Sequence, residues 1–458
     1  MTYTNCHIHR LIFENNLEKL RHVFEQEKDG SKIIGLLNEQ DKHGNTPLHL
    51  ACILGCTESI KLLVANQASC RSNNKYRCSP LHESISFGNR ENLHYIFLNF
   101  VNESKSIFSR ELVEQCIRNL PDCKFTVNWK FKTWIPLISN LLPGDICTIW
   151  KKGPCVRVDT TIPDIETYLK SFWKKKETIS ILIDSSRDPY GPFFLDHSNK
   201  TFKNISDFAD ANISPNELNA MLCTEICAMR FNLKDAKIQP ELSGIWQKEQ
   251  KIKIIDRYTC KCIQVSNIEA QIIMRTEHMN EEIKNHLNGF RSQFANDIKA
   301  NKDNLSIKDE MKKFEESLEQ LLDKRCATKQ PERIIPKVTF DEYQEASDCF
   351  KILGRDMNIQ VIRKTLQLDA ALANDFYLKP DDLINVLEYI VTLKQFKRLQ
   401  EFAKLVSPFG FPMQIEIPIY PAIKAVVTLS DFVFDSSTID NKLFKIPDTY
   451  VEKIKTSK

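Results

Sequence analysis

Four cysteines come nearest to a chemically competent set. Cys223 and Cys227 stand four apart in a stretch of helical character, and Cys260 and Cys262 share one face of a strand-like stretch. Two such pairs would supply four thiolates for tetrahedral zinc, but the spacing is that of no known zinc knuckle. The expectation is small buried hydrophobes and no metal. His49 and His82 have the ring nitrogens of metal ligands, yet each lies in a turn whose backbone and hydroxyl already offer hydrogen bonds, so both are expected to be structural. No pattern supports a cysteine nucleophile served by His278 or His286. There is no Gly-x-Ser-x-Gly elbow and no His-Glu-x-x-His helix, and 12 glycines in 458 residues leave little material for a phosphate loop. Catalytic, cofactor and metal residues are therefore expected to be absent, and the remaining chemistry is non-covalent. Trp129, Trp134 and Trp150 are the candidates for holding a partner. The Phe172-Trp173-Lys174-Lys175-Lys176 cluster mixes aromatics and cations as a membrane interface does, and is expected to be a solvated hairpin end instead.

The elements that would position these residues begin with an internal repeat. Thr46-Pro47-Leu48-His49-Leu50-Ala51 recurs as Ser79-Pro80-Leu81-His82-Glu83-Ser84 after 33 residues, the ankyrin period, and the first copy is the ankyrin hexad itself. Asp41 and Asn74 keep the same register, as do Gly55 and Gly88. Proline falls in the first helical turn, where its missing N–H costs nothing, and glycine ends the first helix of each pair. Leu48, Ala51, Leu62 and Leu63 form one apolar stripe. His7 to Phe13, followed by Leu17, Leu20 and Val23, reads as a degenerate capping repeat, set off by an insertion around Asp29 to Leu36. About three repeats are expected over residues 5–105, which is just enough to bury a shared core.

From residue 110 to 458 the pattern is mixed. A helix is expected over Ser109–Leu120, then strands over Phe125–Trp134, Ile149–Gly153, Val156–Asp159, Ser180–Asp184, Pro192–Asp196 and Lys251–Val265, the signature of a curved antiparallel sheet. Residues 267–330 are crowded with charge and read as a helical arm or insertion. Asp381–Val406 reads as an amphipathic helix. Met413–Ile417 and Ile423–Leu429 read as paired strands, and Phe432–Phe434 as a third. The fold class is α+β: an N-terminal ankyrin stack followed by a larger domain with an antiparallel sheet and a charged helical arm.

A formal net charge of +3 over this length supplies no basic face for nucleic acid. The 15 cysteines show no framework, and His7, His9 and Arg10 stand where a signal peptide needs an apolar core, so reduced thiols in the cytoplasm are expected. Trp134–Trp150 is broken by Pro136, Pro143, Gly144 and Asp145, and cannot supply the roughly 20 apolar residues of a spanning helix. Any contact with a membrane is then peripheral.

Several segments, taken in order, carry a resemblance. They are Trp129-Lys-Phe-Lys-Thr-Trp134, Leu142-Pro-Gly-Asp145, Val156-Arg-Val-Asp-Thr-Thr161, Arg275-Thr-Glu-His-Met-Asn-Glu-Glu282, Thr339-Phe-Asp-Glu-Tyr343, Leu353-Gly-Arg355, Pro408-Phe-Gly-Phe-Pro412 and Phe444-Lys-Ile-Pro-Asp448. Behind the repeats, this ordered set resembles the ankyrin repeat domain-containing protein 13 family, and within it the C-type branch most. The resemblance implies a non-enzymatic chaperone that holds cytosolic segments of G protein-coupled receptors at the endoplasmic reticulum membrane and governs their maturation and exit. It implies protein clients, with no nucleic acid, cofactor or transmembrane span. The other branches carry C-terminal ubiquitin-interacting motifs, which makes a ubiquitin-linked endocytic adaptor the alternative. No such motif is found here.

Overall fold

The computed structural model describes the chain outside residues 1–5, 28, 107–109, 134–143, 162–177, 187–191, 205–212, 214, 245–248, 300–316, 318–330, 381, 384–404, 421–422 and 454–458. The helices of the first hundred residues follow the repeat. They are α1 (His7–Phe13), α2 (Leu17–Gln26), α3 (Gly30–Asn38), α4 (Pro47–Leu54), α5 (Thr57–Ala65), α6 (Pro80–Phe87) and α7 (Arg90–Ser106). Pairs α1/α2, α4/α5 and α6/α7 are the three repeats, and the insertion is the extra helix α3. Thr46 and Ser79 cap α4 and α6, each in a capping box with the histidine three residues on. Thr46 donates to His49 Nδ1 from its N–H at 3.2 Å and its hydroxyl at 2.8 Å, and His49 Nε2–H donates to the Cys78 carbonyl at 2.9 Å. Asp41 and Asn74 share a register because both close a finger loop: Asp41 accepts from the amides of His43 and Asn45, and Asn74 from those of Tyr76 and Cys78. Gly55 ends α4 at φ +72°, and a Cβ there would lie 2.0 Å from the Phe87 ring. Only glycine lets successive repeats approach so closely.

After α8 (Arg110–Asn119) come β1 (Cys123–Thr133), β2 (Gly144–Lys152), β3 (Cys155–Thr160), β4 (Ile179–Asp184), β5 (Phe193–Asp196) and β6 (Thr201–Asn204). Then follow β7 (Ile226–Asn232), β8 (Lys237–Pro240), β9 (Leu242–Ser243), β10 (Glu249–Gln250), β11 (Ile252–Ile255), β12 (Tyr258–Arg275), β13 (Ile359–Ala373), β14 (Phe411–Tyr420), β15 (Ile423–Val433) and β16 (Val451–Glu452). Strand order along the main path is β11-β12-β13-β14-β15-β1-β2-β3-β4-β5-β6-β16, and β8 pairs β12 beyond the end of β11. The β1–β6 and β14–β15 pairings are antiparallel hairpin neighbours. In β1, Phe125 and Val127 are buried, and Phe125 stacks on Phe432 at 5.3 Å. Buried Asp145 accepts hydrogen bonds from the hydroxyls of Thr160 and Thr161 and from the Thr161 amide, tying the start of β2 to the end of β3.

Three sequence expectations need correction. The one strand expected over Lys251–Val265 is two, β11 and the start of β12, paired antiparallel across the turn at Asp256–Arg257. The helical arm does not begin at Asn267. Residues 267–275 continue β12, with Ile268, Ala270 and Ile273 buried, and the helix runs over Glu281–Lys299. Only Glu269 of this stretch is an exposed charge, and the dense charge begins with the helix. Phe432–Phe434 is not a third strand either, because β15 runs unbroken to Val433. Asp431 adopts φ +56° opposite a register shift between Lys124 and Thr126. Asp431-Phe432, opposite Phe125, is a bulge within one strand. Most of the expected helix over Asp381–Val406, and the whole Phe172–Lys176 cluster, lie outside the described residues.

The chain forms two compact units, each built from separated stretches. One combines Met1–Ser106 with Ala211–Phe231 and Glu269–Lys364, the other Ile107–Asp210 with Asn232–Ile268 and Thr365–Lys458. The first, called here the repeat unit, has a core that includes Leu48, Leu50, Ile53 and Leu63 of the stack together with Leu222, Ile226, Phe340, Tyr343 and Phe350. The sheet unit has its own core around Phe125, Ile149, Val158, Met413 and Phe432.

Candidate functional site

The binding side of an ankyrin stack is made by its finger loops and the first helix of each pair. In this chain that side already holds a segment of the chain itself. Thr339 opens the short helix Phe340–Glu345 with a capping box completed by Glu342. The helix presents Tyr343 to the first finger loop: its hydroxyl donates to Asp41 at 2.9 Å and accepts from Asn45 at 3.2 Å, while its carbonyl accepts from His43 Nε2 at 2.8 Å. The ring is fully buried between Phe13 and His43. Upstream, the Ile334 amide donates to the Leu54 carbonyl at 2.9 Å. Downstream, Arg355 donates to the Ile53 carbonyl at 3.2 Å and to Ser86 Oγ at 2.8 Å.

Beneath this segment lies the least expected feature of the chain. Glu83 occupies, in the third repeat, the hexad position that Leu50 holds in the second, and it is wholly buried. Its carboxylate takes a two-pronged ion pair from Arg275, at 2.8 and 2.9 Å, and an amide hydrogen bond from Asn74 at 3.1 Å. Arg275, 1% exposed, also meets Glu277 at 2.8 Å and Ser86 at 2.7 Å, with its guanidinium 5.2 Å from the centroid of the Phe350 ring. Burial alone would raise the Glu83 carboxyl, but the Arg275 charge outweighs it and holds the group below its ordinary range. This cluster locks the repeats to the later segments, and nothing in it faces a substrate.

The sheet unit offers the more open surface. Strand β11 stands at the end of the strand order, with Ile252 58% and Ile254 76% exposed on one face. Beside it on the same edge lies a cleft of about 510 Å³ lined by Ile238, Pro240, Lys261, Ile263 and the turn Ser407–Gly410, where Phe409 is half exposed. An edge strand with outward isoleucines next to a cleft of mixed polar and apolar lining suits an extended peptide added as a further strand.

The tryptophans expected to bind partners fall elsewhere. Trp129 and Trp150 are half-buried on β1 and β2; Trp129 meets Phe131 edge-on at 6.0 Å, and Trp150 lies 5.8 Å beneath the Arg157 guanidinium. Trp134 lies outside the described residues. Thr46, Pro47, Leu48, His49, Ser79, Pro80, Leu81 and His82 occupy the helix starts described above. Cys223, Cys260 and Cys262 are buried and Cys227 is exposed. His278 donates from Nε2 to the Thr224 carbonyl at 2.8 Å. One arrangement that the sequence did not disclose resembles a hydrolase triad: Ser180 Oγ lies 2.6 Å from His197 Nε2 and 2.5 Å from Asp159. The hydroxyl proton goes to Asp159, so His197 is left to donate to Ser180 and to accept from Tyr450 at Nδ1. A ring that donates cannot take the serine proton, and Ser180 is fully buried. The trio is a clamp across β3 and β4. Glu83, Arg275 and Tyr343 were not singled out from sequence, although an acidic residue in a core hexad position was the available signal.

A family model described as ANKRD13 C-terminal matches residues 157–453, and a model of three ankyrin repeats matches residues 8–105. The chain is 28% identical over 452 residues to human ankyrin repeat domain-containing protein 13C, covering 97% of this chain and 77% of that one. The same identity holds to the 13C-B protein of Xenopus laevis, at 97% and 82% coverage. Human ankyrin repeat domain-containing protein 13A is 25% identical over 438 residues, covering 93% of this chain and 70% of that protein.

Proposed function

Because the chain belongs to the ankyrin repeat domain-containing protein 13 family, we propose that it is a non-enzymatic chaperone or adaptor that holds short cytosolic segments of client membrane receptors during their biogenesis at the endoplasmic reticulum. Ankyrin repeats serve protein–protein interaction, which supports the general reading. No helix among the described residues is long and apolar enough to cross a membrane. The binding side of the repeats is taken up by the chain's own segment around Tyr343. Docking is therefore assigned to the sheet unit, along β11 and the adjoining cleft. The observation that carries this choice is the terminal strand with Ile252 and Ile254 turned outward. Main-chain pairing would give affinity to many clients, and the cleft would admit one apolar side chain from each.

The test is capture of an immature receptor, and of peptides from its cytosolic loops, by the intact chain and by an Ile252→Lys/Ile254→Lys variant. Both side chains are exposed, so the fold should be unaffected, and peptide affinity should fall at least about tenfold, a change worth about 1.4 kcal/mol. Unchanged capture by the variant would remove this surface from consideration. Binding of free ubiquitin chains by the intact chain, with no binding of receptor loops, would favour the endocytic adaptor instead.

A further inference from the structure

The first repeat departs from the other two at the hexad hydroxyl. In the second and third repeats, Thr46 and Ser79 face Nδ1 of the histidine three residues on. At the matching position in the first repeat stands Cys6, three residues before His9. His9 keeps the outer half of the pattern, with Nε2–H donating to the Asn45 carbonyl at 2.8 Å just as His49 does to Cys78. That bond places the ring proton on Nε2 and leaves a lone pair on Nδ1. Here the lone pair goes unused: His9 is fully buried and its Nδ1 has no hydrogen-bond partner. The Cys6 amide has turned away from the ring to donate to Glu39 Oε1 at 3.0 Å, and Cys6 itself adopts a left-handed φ of 58°. Glu39 arrives through the extra helix α3, which it caps, and its Oε2 is also buried without a partner.

We propose that Cys6, His9 and Glu39 form a site for one zinc-class divalent cation, bound through Sγ, Nδ1 and a carboxylate oxygen, with water in the fourth position. Their donor atoms all lie within 4.8 Å of one another, the sole such set of three or more among the described residues. Closing to the roughly 2.0–2.3 Å bonds of tetrahedral zinc needs a contraction of about 1 Å, within the reach of side-chain rotation. A thiolate and a carboxylate together neutralise the two positive charges, which a buried site requires. The backbone carbonyl that fixes the ring from its far side is the usual support of a ligating histidine. Without a cation, burial and the Glu39 charge push the Cys6 thiol up to about 11, so binding must release its proton and tighten as pH rises. In this reading α3 is no idle insertion; it supplies the third ligand and fastens the first repeat to the second.

The experiment uses the full chain, stripped of metal with a chelator and titrated with zinc and then with cobalt. The expected results are one zinc retained at this site, a thiolate-to-cobalt charge-transfer band, and a rise in the unfolding temperature with added zinc. Cys6→Ser should abolish the charge-transfer band and lower zinc affinity at least about a hundredfold. Glu39→Gln, which keeps size and shape, should lower it about tenfold or more. Should Cys6→Ser fail to fold, Glu39→Gln alone decides. Zinc bound equally by the Glu39→Gln and wild-type chains, or no zinc bound at all, would overturn the site and leave only a packed thiol beside an imidazole.

Discussion

Replacing Arg275 with alanine is expected to destabilise the repeat unit by about 3–5 kcal/mol, the usual cost of stranding one half of a buried ion pair. Glu83 would keep Asn74 as a hydrogen-bond partner and lose every cationic contact but the more distant Arg355. The pair as such adds little net stability, since taking both charges out of water costs about as much as their attraction returns. A Glu83→Leu/Arg275→Met chain, which restores the apolar residue of the preceding repeat, should therefore recover at least half of the loss. Glu277 and Ser86, which also contact Arg275, keep the recovery from being complete. Urea unfolding followed by helical circular dichroism reads the repeat unit. Tryptophan fluorescence reads the other unit, because Trp129, Trp134, Trp150, Trp173 and Trp246 all fall within its stretches. A single variant that loses under about 1 kcal/mol, or a double variant no better than the single, would show that the cluster is not what locks the unit.

The same pair sets an acid limit. The folded Glu83 carboxyl sits below its ordinary value of 4.5, so its stabilising contribution is fully present above that pH and fades as pH falls through the lower folded value. The wild-type repeat unit should hold a constant urea midpoint above about pH 5 and lose stability below it. The double variant should lose the part of that slope due to Glu83.

Tyr343→Ala is expected to cost about 3–5 kcal/mol as well, by a different route. It empties a fully buried aromatic site between Phe13 and His43, and leaves Asp41 without the hydroxyl it accepts from. Tyr343→Phe keeps the ring and should cost about 1–3 kcal/mol, the penalty for unsatisfied buried partners. Hydrogen exchange distinguishes local from global effects. Amides over residues 332–355, including that of Ile334, should lose protection in Tyr343→Ala before the helices α4 and α6 do. If protection there is unchanged while overall stability falls, Tyr343 is only a core residue and does not hold the segment in place.

How much of this was legible follows from the range of each interaction. The hexads, the glycines that end their helices and the Asp41/Asn74 register are local patterns, so the stack could be placed almost residue by residue. Alternation located β1 to β5, β14 and β15. It missed the continuation of β12 past Asn267 because the charged helix that follows sets the composition of the whole stretch, and it split β15 at Asp431, where a bulge interrupts the alternation. The Arg275 cluster was beyond pattern reading, since its partners are 192 residues apart and neither position is periodic with the other. Only Glu83, where its sister repeat carries leucine, hinted that a cation had to arrive from elsewhere. The edge proposed for docking, β11, is short, ordinary in composition and recognisable only once the strand order is known.

The discontinuity of the repeat unit bears on how the protein is made. On the ribosome, the first hundred residues emerge with an acidic group destined for their interior and no cation to meet it, and Arg275 follows 192 residues later. At roughly 5–20 residues per second, the nascent repeats wait about 10–40 s before their counter-charge exists, and longer before Tyr343 can seat. During that interval they are an unfinished object. A chain cut after Ser106 would remain one permanently, because the cation that meets Glu83 lies in a later stretch of the same unit.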